Sequence, residues 1–168
     1  MKFLVKFIDS LSKLGAAIAA LSLVGMVSFI LLEIVLRTVF DSSTFIMDEM
    51  VGYGVAAATF LALPYALAQG SIIRVELFLG HVTGKNRKLL EVFSCLVGLG
   101  VTWLLISFIW VRVARAWTRH SVSSSIAEVP MWIPQGIILV GLCLLFLQFI
   151  ALLIRQFIDD QNHETPAL

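Results

Sequence analysis

The sequence predicts an all-α membrane protein: four transmembrane helices with both termini on the cytoplasmic side (N-in/C-in), preceded by an N-terminal amphipathic interfacial helix. Three observations predict it. The 168 residues are 60% hydrophobic and only 14% charged, with a mean hydropathy of +0.98, against about 45–50% apolar and about 25% charged in soluble domains. Four apolar runs, at about 15–40, 50–68, 89–111 and 132–154, each approach or exceed the roughly 20 residues that carry a helix across about 30 Å of hydrocarbon. The basic residues, finally, fall unequally on the two sides that these runs define.

Residues 1–14 come first. Phe3, Leu4, Phe7, Ile8, Leu11 and Leu14 share one helical face, Lys2, Lys6, Asp9, Ser10 and Lys13 share the other, and Val5 alone is out of place. A basic amphipathic helix with aromatic anchors is expected to lie flat among the headgroups, its lysines meeting anionic lipid. The plainer alternative is that this segment simply begins the first span. Residues 15–155 form the four-helix transmembrane domain. Ala17-Ile18-Ala19 resembles a signal-peptide cleavage site, but it opens the first run instead of closing it, so no cleavage is expected. Pro64 in the middle of the second run removes a backbone hydrogen bond and predicts a kink. Beyond the third run, the pattern from Trp110 to Arg119 suggests a helix that continues past the membrane surface. Residues 156–168 read as a polar cytoplasmic tail, expected to be disordered from Asp159 onward. No repeat relates the runs, and no linker separates a second domain.

Orientation follows from the short connections. With the N-terminus inside, the cytoplasmic side receives Lys2, Lys6, Lys13, Arg74, Lys85, Arg87, Lys88 and Arg155, and the outer side receives Arg37, Arg112, Arg115 and Arg119. That imbalance favours N-in/C-in, against the three arginines that the third connection then places outside.

Several function classes are excluded. The basic residues form no stripe with interleaved aromatics, so nucleic acid is not an expected partner. Cys95 and Cys143 sit in apolar runs with no Cys or His at ligand spacing, which leaves no disulfide framework, zinc site or CxxC pair. His81, His120 and His163 lie in three separate polar stretches and cannot pair on a haem within the bilayer. With no nucleophile, metal site or phosphate-cradling loop in view, neither an enzyme activity nor a cofactor is expected.

Polar and small residues set into the spans are the candidate sites. Glu33 and Arg37 are four apart near the end of the first span, where carboxylate and guanidinium can pair on one face; the alternative is proton or substrate coupling through an intramembrane acid. Asp48 and Glu49 precede the second span, at a helix N-terminus that favours acids or within reach of Arg37 for an interhelical pair. Gly54, Ala58, Ala62, Ala66 and Gly70 place a small residue at every fourth position, a docking face for a partner helix or a packing face within this chain. Arg112, Arg115 and Arg119 line one side of the helix that leaves the membrane, either as an interfacial face anchored by tryptophan or as a dock for an acidic periplasmic protein.

Glu33-Ile-Val-Leu-Arg37 closing the first span, Asp48-Glu49 opening the second, Gly70-Ser-Ile-Ile-Arg-Val-Glu76 after it and Val129-Pro-Met-Trp-Ile-Pro134 leading into the fourth carry a resemblance over nearly all of residues 15–155. In this order and spacing they resemble the small membrane subunit, the DctQ family, of tripartite ATP-independent periplasmic (TRAP) transporters. The resemblance implies a fixed scaffold in a bacterial inner membrane. Its partners would be membrane lipid, a large multi-span subunit that moves organic acids with sodium ions, and a soluble periplasmic substrate-binding protein. It also implies that Arg37, Glu49, Arg74, Pro130 and Trp132 are structurally important, that Arg74 and Glu76 join the ion pairs, and that Pro134 helps to open the fourth span. Ala62, Ile72 and Glu76 depart from the Gly, His and Asp common in the family, and a Trp common before the acidic pair is missing.

The main rival is a self-sufficient small four-helix transporter using Glu33, as in the small multidrug-resistance type. There the acid stands unpaired near mid-span in a shorter chain, whereas Glu33 lies late in its span with Arg37 beside it.

Overall fold

The computed structural model describes residues 2–70, 85–123 and 128–163. In them the chain forms four helices: α1 (Lys2–Phe40), α2 (Met47–Ala68), α3 (Lys85–Thr118) and α4 (Trp132–His163). Each contains a segment long and apolar enough to cross a membrane: Leu4–Phe40, Met47–Ala68, Leu90–Thr118 and Trp132–Arg155. α1 packs along α2 and against α4, α2 packs on α4, and α3 is applied to α4. Successive helices reverse direction, so the α1–α2 turn and the α3–α4 connection share one end of the bundle while the first turns of α1 and the last of α4 share the other.

The interior is thin and built from small residues. Ala19, Ala57 and Leu61 meet Ile137 and Leu144 where α1, α2 and α4 converge, Val5 and Ile8 pack with Ala151, and Leu67 and Cys95 pack with Leu152. Lipid is as apolar as leucine, so close fit has to supply what the hydrophobic effect supplies in water. Two glycines bring backbones together: a Cβ on Gly15 would stand 2.9 Å from the Leu61 carbonyl oxygen, and one on Gly141 would stand 2.5 Å from that of Phe60. The second approach has a cause on α2. Pro64, fully buried in a helix that runs on through it, has no N–H for the Phe60 carbonyl, and the Gly141 backbone covers the oxygen left open.

Three details differ from the sequence reading. α1 is one uninterrupted helix, where two elements were expected. Within its first turns the face against α4 is Val5, Ile8 and Ser12, so Val5, the apparent misfit, belongs to the core, while Leu4, Phe7 and Leu14 are exposed. The segment expected to be disordered from Asp159 is helical as far as His163.

Candidate functional site

At the α1–α2 end, α1 stops where Asp41 takes a left-handed backbone (φ 46) and the Ser42 N–H returns to the Leu36 carbonyl at 3.3 Å. The short turn that follows aims its hydroxyls at Glu33. One carboxylate oxygen, Oε1, accepts from Arg37 Nε at 2.9 Å and from the Ser43 hydroxyl at 2.6 Å. The other, Oε2, accepts from the Thr44 N–H at 3.2 Å and its hydroxyl at 2.6 Å. Ser43 Oγ in turn accepts from Arg37 Nη2 and from the Phe45 N–H, both at 3.2 Å. Glu33 is 1% exposed, whereas Arg37 is 61% exposed. Four donors occupy about as many acceptor sites as a carboxylate offers, so Glu33 is saturated by its own chain.

Asp48 and Glu49 sit in the first turn of α2, where unpaired N–H groups and the helix dipole favour acids and where Ile46 supplies no side-chain cap. Glu49 accepts from the Tyr53 hydroxyl one turn on. The described bonds of Arg37 go to Glu33 and Ser43, not across to α2.

The described parts of the α3–α4 connection, on either side of residues 124–127, pair with each other. α3 closes with the Ser121 N–H on the Ala116 carbonyl (3.1 Å) and the His120 N–H on that of Trp117 (3.3 Å), His120 holding the left-handed position (φ 46) that glycine usually takes. Ser123 then bonds Val129, Met131 bonds Ser121, and Val122 bridges Pro130. Trp117 and Trp132 meet edge to face, centroids 5.0 Å apart. Pro134 lies in the first turn of α4, where a missing N–H costs nothing. Arg112, Arg115 and Arg119 are all exposed along this end of α3.

The small-residue row on α2 is divided. Gly54 receives Met26 of α1, Ala62 joins the central core, and Ala58 and Ala66 are half-buried. Gly70 lies beyond the helix in a left-handed conformation (φ 70), its N–H on the Leu67 carbonyl. Ala57, Leu61, Pro64 and Leu67 form the fully buried face instead. Arg74 and Glu76 lie outside the described residues.

The opposite end holds a cluster that sequence reasoning missed. Ser12 Oγ donates to Gln148 Oε1 at 2.9 Å, Gln148 Nε2 donates to Asp9 Oδ1 at 3.2 Å, and Arg155 pairs with the other oxygen of Asp9. Ser12 and Gln148 are both 0% exposed. The only signal available was a glutamine inside the fourth apolar run, since partners on helices 136 positions apart leave no trace in local spacing. Among the described residues no group of three or more His, Cys, Asp or Glu could hold a metal.

Four membrane-length helices, with buried Ser12 and Gln148 bonded across α1 and α4 and buried Glu33 bonded to its own helix and the turn after it, define a multi-pass membrane protein. Residues 26–159 match the family model for "Tripartite ATP-independent periplasmic transporters, DctQ component", and the chain belongs to that family. It is the small membrane component of a TRAP transporter and not an enzyme. No curated protein and no solved structure gives a significant match.

Proposed function

We propose that the chain is a stationary scaffold in a bacterial inner membrane, with both termini cytoplasmic. It holds the large multi-span subunit in place while that subunit carries organic acids inward on a sodium gradient, and the α1–α2 turn and the α3–α4 connection face the periplasm and the substrate-binding protein. The observation that carries this reading is the saturation of Glu33: a carboxylate already bonded to Arg37, Ser43 and Thr44 offers no free site to a travelling proton or solute. That argues for a structural role over self-sufficient transport through Glu33. At the cytoplasmic end, exposed Lys6 and Lys13 on the first turns of α1 meet anionic headgroups. At the periplasmic end, exposed Arg112, Arg115 and Arg119 are offered to an acidic surface of the binding protein. Vesicles decide between the readings. With this chain alone no solute should move, and uptake should appear when the large subunit and a loaded binding protein are added; flux through the chain alone, lost on Glu33→Gln, would establish the rival.

A further inference from the structure

Asp9 is the hub of a basic notch between the first turns of α1 and the last of α4. Its Oδ2 takes Arg155 of α4, and its Oδ1 takes Gln148 Nε2 at 3.2 Å. Lys6 and Lys13 lie one turn to either side of it on α1, so the three side chains leave the helix within about 60° of one another. Three cations thus stand against one carboxylate, and that carboxylate is already bonded. Lys6 and Lys13 are exposed, and neither has an acidic partner among the described residues. Arg155 is 41% exposed and its described bond uses Nη2 alone, which leaves other N–H donors of the guanidinium to a further acceptor. Ser10, one turn from each lysine, is exposed as well.

The notch lies at the edge of the bilayer. Ser12 meets Gln148, Gly15 meets Leu144, and Val5 and Ile8 meet Ala151, so α1 and α4 run antiparallel with Leu152 about level with Ile8. Hydrocarbon about 30 Å thick takes about 20 residues of helix, and a layer that begins at the Trp117–Trp132 pair ends near Leu152. Lys6 then stands just outside the layer and Lys13 about 7 Å inside it. Helical side chains lean toward the N-terminus, which for α1 is this end, so the Lys13 stem carries its ammonium back toward the level of Asp9. Beside the notch, Phe7, Leu14 and Leu21 are seven residues apart and so nearly in line on α1. All three are more than half exposed, and their lane runs from the edge into the layer.

We propose that Lys6, Ser10, Lys13 and Arg155 bind the phosphate of one anionic phospholipid, whose acyl chains lie along Phe7, Leu14 and Leu21. The surface matches such a molecule at both ends. Cations and a hydroxyl suit a phosphate, and the adjoining lane suits the chains below it. Basic pockets between membrane helices on the cytoplasmic side are a recurrent form of headgroup site. A soluble acidic protein reaches the notch only from water and leaves the lane uncovered. Asp9 is a positioning residue here: fixed by Gln148, it keeps the Arg155 guanidinium against α1 instead of free in solvent. The proposal deepens the scaffold reading, which puts this end among the cytoplasmic headgroups without a defined site.

The test takes the full chain in mild detergent and counts retained phosphatidylglycerol by native mass spectrometry, with phosphatidylcholine as the neutral reference. Lys6→Gln and Lys13→Gln should each weaken retention by about fivefold, the effect of one basic side chain at an anionic surface. Arg112→Gln with Arg119→Gln, the same kind of charge loss at the far end, should leave it unchanged. Asp9→Asn separates a built site from diffuse attraction. It adds to the local positive charge yet loosens Arg155, and should weaken retention by at least about threefold. Tighter retention in Asp9→Asn, no loss in the lysine variants, or an equal loss from the far-end pair would overturn the site. Displacement by inorganic phosphate would overturn it in favour of a free anion, and displacement by the large subunit in favour of a protein contact. The lysines are exposed, so their variants decide even if Asp9→Asn fails to fold. The chain is tested alone, whereas the scaffold reading falls on flux through vesicles, so either can fail without the other.

Discussion

Gly141→Ala is the sharpest perturbation of the bundle. The new methyl would stand 2.5 Å from the Phe60 carbonyl oxygen, 2.7 Å from its carbonyl carbon and 2.8 Å from its Cβ, where a carbon and an oxygen ordinarily settle at about 3.3–3.6 Å. Two of the three atoms are backbone, held by α2, and cannot swing aside. α4 and α2 must part by up to about 1 Å, which loosens Ala57 and Leu61 from Ile137 and Leu144 and uncovers a carbonyl that Pro64 leaves without its usual donor. Overpacking of this kind costs about 1–3 kcal/mol, and the lost Cα–H···O contact about 0.5–1 kcal/mol more. Alanine's helix preference over glycine returns up to about 1 kcal/mol. The net is about 0.5–3 kcal/mol, a factor of about 2–160 in the folded population. Gly136, on the same helix with nothing within 4 Å of its would-be Cβ, supplies the control, since it carries the same propensity gain and no clash. Equilibrium unfolding in mixed micelles of mild detergent and dodecyl sulfate would read both variants. If Gly141→Ala proved as stable as Gly136→Ala, the account of α2 and α4 meeting backbone to backbone at Phe60 would be wrong.

The remaining predictions concern polar groups. Glu33→Gln puts an amide where Ser43, Thr44 and Arg37 all donate, and should destabilise the α1–α2 turn by about 1–3 kcal/mol, lowering the yield of assembled complex while transport per complex stays near normal; full assembly without transport would contradict a structural role. Gln148→Ala strands the buried Ser12 hydroxyl and should cost about 1–3 kcal/mol, whereas Ser12→Ala with Gln148→Leu should come close to neutral, because Asp9 is 26% exposed and keeps Arg155; a double-mutant cycle by micelle unfolding checks the non-additivity. His120→Gly should stabilise the chain by about 1 kcal/mol, because a side chain at φ 46 is strained where glycine is not; unchanged unfolding would mean that His120 has a compensating contact.

The sequence alone determined the membrane class, the presence of four long apolar helices, the Glu33–Arg37 pair and the acids at the head of α2, because each is a matter of local composition or of side chains one helical turn apart. It also carried enough of an ordered motif pattern to point to the family. Only the tertiary structure decided the rest: that Ser43 and Thr44 close over Glu33, that Asp9, Ser12, Gln148 and Arg155 form one cluster, that α1 is a single helix with Val5 in the core, and that Gly15 and Gly141 carry backbone-to-backbone approaches while Gly54 takes the Met26 side chain. In water a helix shows its buried face by the alternation of apolar and polar residues. A spanning helix is apolar on every face, so that signal vanishes, and which side packs against which depends on helix register that no local spacing records.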